Sequence, residues 1–409
     1  MANNGNFFAS IDIGTSKIVV LFGEEINGKI EVFGQGIGPS AGVKKGSIVN
    51  VDQASKAIRE VLVDTCKSCN SEIQNITTNI SDLHLTTINQ DREFPISGDF
   101  ITSADIRSAI EHASVVPTLT NERVLSSTIK HFTIDKELDI IDNPVDLKAS
   151  LLVAHMHIAV VSNQSMSAIH KSIEVNNNLA IEGIVLDSIA GSESCITQDE
   201  KDNGVCFVDM GAGVTNISVF TNGSITYSAI YQLAGNSVTE NISYAFNTTF
   251  AEAERIKTKY AVAAQLSLAG EDSLVKFKQT DATEDSYLSM HDLIGVIEDS
   301  YSSIYSLIKQ DLSKQKLDRK IKSGFVLTGG ATLLRGCDEL LLKHSRIRAK
   351  IAKVNTDKIK GKTAVISNPI YSSALGLLVH NSDMDIDLEA TQQDEQNNFM
   401  GKVRSLFEL

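Results

Sequence analysis

Two stretches of this chain repeat one pattern, and the repeat limits its fold more than any other feature. Residues 8–22 run from an apolar β-rich segment through Asp12-Ile13-Gly14-Thr15-Ser16-Lys17 into a second β-rich segment. Residues 205–220 do the same through Asp209-Met210-Gly211-Ala212-Gly213-Val214. Apolar, β-branched runs on either side of a small glycine turn read as a hairpin. Two such hairpins imply two similar α/β halves, one starting near residue 7 and the other near 204. The 409 residues allow this, since cores split into units of roughly 100–200 residues.

Composition then excludes whole classes. Hydrophobic residues at 42% and charged residues at 22% suit a soluble globular protein. No run approaches the roughly 18 uncharged apolar residues of a membrane span. The Met1-Ala2-Asn3-Asn4 start lacks the basic and apolar regions of a signal peptide, so the chain is expected in the cytosol. A net charge of −14 disfavours nucleic acid and whole-body attraction to anionic lipid, so any membrane contact must be local. The five cysteines form no disulfide rhythm. Cys66 and Cys69, inside a helix-like run, read as reduced packing thiols.

Between the hairpins, residues 50–70 look helical and 85–162 look like an inserted α+β unit. The insert holds a helix from Ser103 to Ala113, with Ser103 as its cap, and a strand from Leu151 to Val161. His155 and His157 share one face of that strand, and ordinary sheet histidines are favoured over metal ligands because no third ligand is near. Residues 236–322 are mostly helix-like, and a last α/β stretch runs from Gly324 to Val379. Asn381 to Asn398 carries six acids and no base, which predicts a disordered tether.

The hairpin turns are suited to phosphate. Backbone N–H groups of such a turn converge on anionic oxygens. Gly14, Gly211 and Gly213 admit a close approach, Thr15 and Ser16 add hydroxyls, and Lys17 adds charge. Asp12 and Asp209 are placed to face each other and hold Mg²⁺ through its waters. A third loop, Val326-Leu327-Thr328-Gly329-Gly330-Ala331, reads as strand, turn and helix start, the last offering free N–H groups to a phosphate. Gly361-Lys362-Thr363 imitates the end of a P-loop, but Thr356 stands where the first glycine belongs.

These three loops resemble the two phosphate motifs and the adenosine motif of the actin, Hsp70 and sugar-kinase superfamily. Over nearly its whole length the chain resembles the FtsA family of bacterial cell-division proteins. The strings that carry this are Ser10 to Lys17, Ala234 to Phe246, Ala253 to Lys257, Val326 to Ala331 and Asn368 to Leu378. The resemblance implies an actin-like α/β clamp for Mg-ATP, with an inserted α+β subdomain and a C-terminal amphipathic helix. By resemblance the first half comprises 1–84 and 163–195 around the insert 85–162. The second comprises 196–243 and 324–380 around a helical unit, 244–323. It adds Thr215, Asn216, Gly235, Asn236 and Ala331 to the nucleotide set, and Glu254 and Lys257 as residues that touch the adenosine. Asp187 is the match for the superfamily carboxylate that orients water, with capping of the following helix as the alternative. Ala212, Val214 and Asn216 depart from the usual second phosphate loop, and Asn143 to Ala149 lacks two glycines the family tends to show.

Placed on a helix, Phe399, Met400, Val403, Leu406 and Phe407 fill one face, flanked by Lys402 and Arg404. That is the pattern of a helix lying in a membrane interface. The function implied is to polymerise with ATP and tether FtsZ filaments to the inner face of the cell membrane at the septum, with at most weak ATPase activity. Later division proteins are expected on the insert. The FtsZ tail is expected around Glu298, Ser300 and Tyr301, with Lys309 supplying charge. A metabolic kinase uses the same clamp but needs no membrane tail. An Hsp70-like chaperone would need a peptide-binding domain after residue 380, where only a short tail follows.

Overall fold

The computed structural model describes residues 7–135, 140–263, 273–280 and 284–380. The first hairpin forms where expected. Phe7–Ile13 pairs antiparallel with Lys17–Ile26, which pairs in turn with Lys29–Pro39. Asn75–Ile80 and Ala180–Leu186 add in parallel beyond Phe7–Ile13, and Ile359–Lys360 closes the other edge of this six-stranded sheet. The helix Val51–Cys69 buries Ala54, Ile58 and Val61 against one face. Asn50 caps its start by accepting from the Gln53 N–H, and Asn70 ends it in the left-handed region at φ 49°.

The second hairpin, Val205–Met210 with Thr215–Thr221, centres a five-stranded sheet. Ser224–Tyr231 forms one edge, and Gly324–Thr328 followed by Ala349–Ile351 lies on the other side. Asp12, Asp209 and Thr328 all stand at or beside the carboxyl ends of strands. That is where open α/β sheets bind ligands.

The insert is a three-stranded sheet in the order Thr86–Pro95, Leu151–Ser162, Glu122–Ile134. One face is covered by the helix Ser103–Ser114 through Ile106, Ala109 and Ile110. Its cap is Thr102, one residue before the expected Ser103, because Thr102 and Asp105 satisfy each other's backbone N–H groups. The opposite face meets the edge strand of the second half. Thr87 Oγ1 donates to the Ser228 carbonyl at 3.2 Å, and Asn89 Nδ2 to that of Thr226 at 2.9 Å. His155 bonds Asp91 at 2.8 Å and His157 is buried, in keeping with sheet histidines.

Two expected boundaries move. Helix Gly235–Ala245 runs across the limit set at 243 and packs with Phe250–Tyr260 and Met290–Lys314 in one core. Residues 324–380 do not all belong to the second half. Ile359 pairs with Ile30, and the helix 372–380 buries Ala374, Leu375 and Leu378 against Phe8, Val19 and Leu21 of the first sheet. Strand and helix patterns reveal an apolar face but not which sheet it covers. The expected tether 381–398 and terminal helix 399–409 lie outside the described residues.

Candidate functional site

Three carboxylates meet between the hairpins. Asn79, on the Asn75–Ile80 strand, accepts from the Ile13 N–H at 2.8 Å. Its Nδ2 donates to Asp12 Oδ1 at 2.8 Å and to Asp187 Oδ1 at 3.1 Å. From the second half, Asn216 Nδ2 donates to Asp187 Oδ2 at 3.1 Å, and from the helix 372–380 Ser373 Oγ donates to Asp209 Oδ2 at 3.1 Å. Ser81 Oγ donates to Asn216 Oδ1 at 3.2 Å. Asp187 is the first residue of its helix and its carboxylate turns into this network, so it does not cap that helix.

Like charges gathered out of water resist ionisation. Burial, then Asp187, pushes the Asp12 carboxyl up to about 7 against the pull of Lys17 and Asn79. Burial, then Asp187 and Asp12, holds Asp209 well above the usual carboxylate range, and burial also raises Asp187. Lys17 reaches inward, since a Cβ added to Gly330 would lie 3.6 Å from its Nζ. Among the described residues no group of three or more His, Cys, Asp or Glu side chains is close enough to chelate a metal directly.

The cleft is lined by Asp12, Gly14, Thr15, Ser16, Lys17, Asp187, Asp209, Gly211, Gly213, Asn216, Gly329 and Gly330. The two turns touch: a Cβ on Gly213 would fall 2.4 Å from Thr15 Oγ1. Gly329 has φ +90°, and a Cβ there would strike Asp209 Oδ1 at 2.2 Å. The expected helix after the Gly-Gly turn is only a four-residue 3-10 turn, Gly330–Leu333, so no helix N-terminus faces the cleft there.

Other expected residues stand behind the lining. Thr215 Oγ1 donates to the Leu233 carbonyl, Gly235 N–H to Gly211 O at 3.0 Å, and Asn236 N–H to Ala212 O at 2.7 Å. Ala331 packs beside Gly235. Lys257 is buried, donating to Gly235 O at 3.0 Å and Thr239 Oγ1 at 2.7 Å while paired with Glu254 at 2.7 Å. This pair braces the loop beside the cleft. Sequence reasoning missed Gly46, Asn79, Ser81 and Ser373, which complete the lining and its bonds. Asn79 lies in Asn75-Ile76-Thr77-Thr78-Asn79-Ile80, a mostly polar strand that singles out no one side chain.

The partner segment needs correction. Tyr301 is 1% exposed and its hydroxyl donates to the Ala331 carbonyl at 2.5 Å. Ser300 is buried and bonded to Val296 and Asn241. Their register on Met290–Lys314 turns them inward. The accessible feature nearby is a groove between that helix and Cys337–Ser345, lined by Glu298, Ser302, Lys309, Lys343, His344 and Arg346. Lys343 pairs with Glu298 at 2.9 Å.

The family model for cell division protein FtsA matches residues 206–376, and the model for the SHS2 domain inserted in FtsA matches residues 83–160. The cell division protein FtsA of Pseudomonas aeruginosa is 31% identical over 94% of this chain and 91% of its own length. The chain belongs to the FtsA family of cell division proteins. FtsA of Escherichia coli strain K12 is 29% identical over 95% of this chain and 93% of its own. Among solved structures, the PilM-PilN type IV pilus biogenesis complex aligns with TM-score 0.65 at 14% identity, covering 91% of this chain and 98% of that one. MreB5 of Spiroplasma citri bound to ADP aligns with TM-score 0.57 at 12% identity, covering 95% and 99%. The fold is thus actin-like, with the insert characteristic of FtsA. No helix among the described residues is long and apolar enough to cross a membrane.

Proposed function

We propose that the chain binds Mg-ATP between its hairpins, self-associates in that state, and tethers FtsZ filaments to the inner face of the cell membrane at the septum. The observation that carries the nucleotide reading is the meeting of Asp12, Asp187, Asp209 and Lys17 in one cleft lined by glycine turns. Buried carboxylates with raised pKa values are stabilised by an added cation. Asp12 and Asp209 would hold Mg²⁺ through its waters, the mode the donor set suits, and the ion would neutralise phosphate charge. Lys17 would pair with a phosphate, and Thr15 and Ser16 would donate hydroxyls to it. Asn79 and Asn216 hold Asp187 by both its oxygens. In that grip it orients a water and turnover is slow, so the nucleotide acts mainly as a switch.

Equilibrium binding of labelled ATP with and without Mg²⁺ tests the site. Asp12→Ala and Asp209→Ala should each abolish Mg-dependent binding, and unchanged affinity in both would remove the assignment. The acidic FtsZ tail is assigned to the groove of Lys309, Lys343 and Arg346. Replacing the three by Ala should weaken an FtsZ-tail peptide, and binding should fall as salt rises. No binding at low salt would end the groove's role.

A further inference from the structure

The same groove has a second candidate occupant within the chain. It exposes Lys309, Lys343 and Arg346, with His344 half-buried between them. The one acid in its lining, Glu298, is already engaged by Lys343. The chain as a whole carries −14, so such a cationic surface stands out against it. Directly after the last described residue come Asp383, Asp385, Asp387, Glu389, Asp394 and Glu395, with no Lys or Arg before Lys402.

The reach can be bounded by contacts along one side of the molecule. His380 lies near enough to Glu193 to lower its pKa. Glu193 bonds Lys201 at 2.9 Å, and the adjoining Glu200 pairs with Lys350. Lys350 follows Arg346 by four residues (350 − 346), at most about 14 Å even if fully extended. From His380 the chain can extend to about 25 Å at Asp387 and about 50 Å at Glu395, at roughly 3.4 Å per residue. The later acids therefore span the distance to the groove. A cationic groove and a tethered segment that carries acids but no base, within reach of it, attract each other at short range.

We propose that the later acids of this segment, Glu389, Asp394 and Glu395, dock in the groove of Lys309, Lys343 and Arg346 as a built-in competitor for an acidic partner. The regulatory consequence rests on reading the groove as the partner site. A tethered ligand acts at an effective concentration near millimolar, so even a weak internal contact competes with an added peptide. Salt releases it, because the pairs are exposed.

Two measurements on the full chain test this. Zero-length carbodiimide cross-linking of the monomer, read by mass spectrometry, should join Lys309 or Lys343 to acids between 389 and 395 at low salt and not at high salt. Titration with an acidic FtsZ-tail peptide should show about three- to tenfold tighter binding when the six acids are changed to Asn or Gln. If no such cross-links form and the peptide binds both proteins equally, internal docking is overturned while the partner groove stands. If the cross-links form but the peptide binds neither protein, docking stands and the partner reading falls.

Discussion

At the scale of single residues, the cleft is governed by how closely its parts crowd one carboxylate. Gly329 stands in the loop that resembles the adenosine motif, where a side chain would crowd a bound adenosine. The geometry gives another reason: its φ of +90° disfavours any L side chain, and a Cβ would overlap Asp209 Oδ1. Gly329→Val should therefore displace Asp209 and lose Mg-dependent ATP binding. A variant that binds ATP normally by calorimetry would show that Asp209 is not needed there. The raised pKa of Asp12 gives a second prediction. Its folded value, about 7, lies above its unfolded value of 3.8. The folded state therefore favours the protonated form, and ionisation costs stability as pH rises. That cost is absent below about pH 4, grows between about 4 and 7, and is complete above. The ligand-free Tm should fall from about pH 5 to pH 8, and Asp12→Asn should flatten part of that fall. A Tm that rises over this range in the unmodified protein would contradict the charge distribution described.

At the scale of elements, the loop beside the cleft depends on the pair of helices Gly235–Ala245 and Phe250–Tyr260. Lys257 joins them, with its ammonium donating to Gly235 O and Thr239 Oγ1. Lys257→Met keeps most of the side-chain volume but removes both donated bonds and the ion pair with Glu254, so it should destabilise the fold by about 2 kcal/mol. Urea unfolding checks this, and a loss below half that value would make the brace unimportant. Lys257 was legible as a site residue from its motif, but its role was not. A motif fixes position in the chain, whereas the partner of a long side chain is set by packing between helices. The hairpins were legible because each is local: strand, turn and strand lie within about fifteen residues. Asn79, Ser81 and Ser373 were not, because they arrive from strands and helices remote in sequence and show no spacing pattern. Ser300 and Tyr301 failed for a related reason. On the helix Met290–Lys314 the apolar stripe runs Ile294, Ile297, Tyr301, Ile304 and Ile308, and Tyr301 belongs to that stripe.

At the scale of the whole molecule, three units meet on one strand. Ser224–Tyr231 receives the insert through Thr87 and Asn89, while Tyr227 and Tyr231 donate to Asp311 of the long helix at 2.7 Å and 2.5 Å. The same strand pairs with Thr215–Thr221, directly after the turn of the second hairpin. Cleft, insert and helical unit therefore share a mechanical element, the coupling that the proposed nucleotide-switched assembly would use. Assembly matters because the anchor expected at residues 399–409 is weak by itself. Each fully buried apolar side chain contributes about 1.5–3 kcal/mol, and ordering a short helix at the interface offsets part of that. Lys402 and Arg404 add only modest attraction, opposed in part by Glu408. A single tail should bind lipid weakly and reversibly, like a single acyl chain. Aligning many tails on one filament makes later contacts intramolecular and raises avidity by about 10²–10⁴. Membrane residence should then depend on ATP and on protein concentration, whereas a strong single anchor would depend on neither. Deleting 399–409, or Phe407→Glu alone, should release the protein from liposomes in co-sedimentation while ATP binding persists. If the truncated protein still sediments with lipid, the anchor lies elsewhere in the chain.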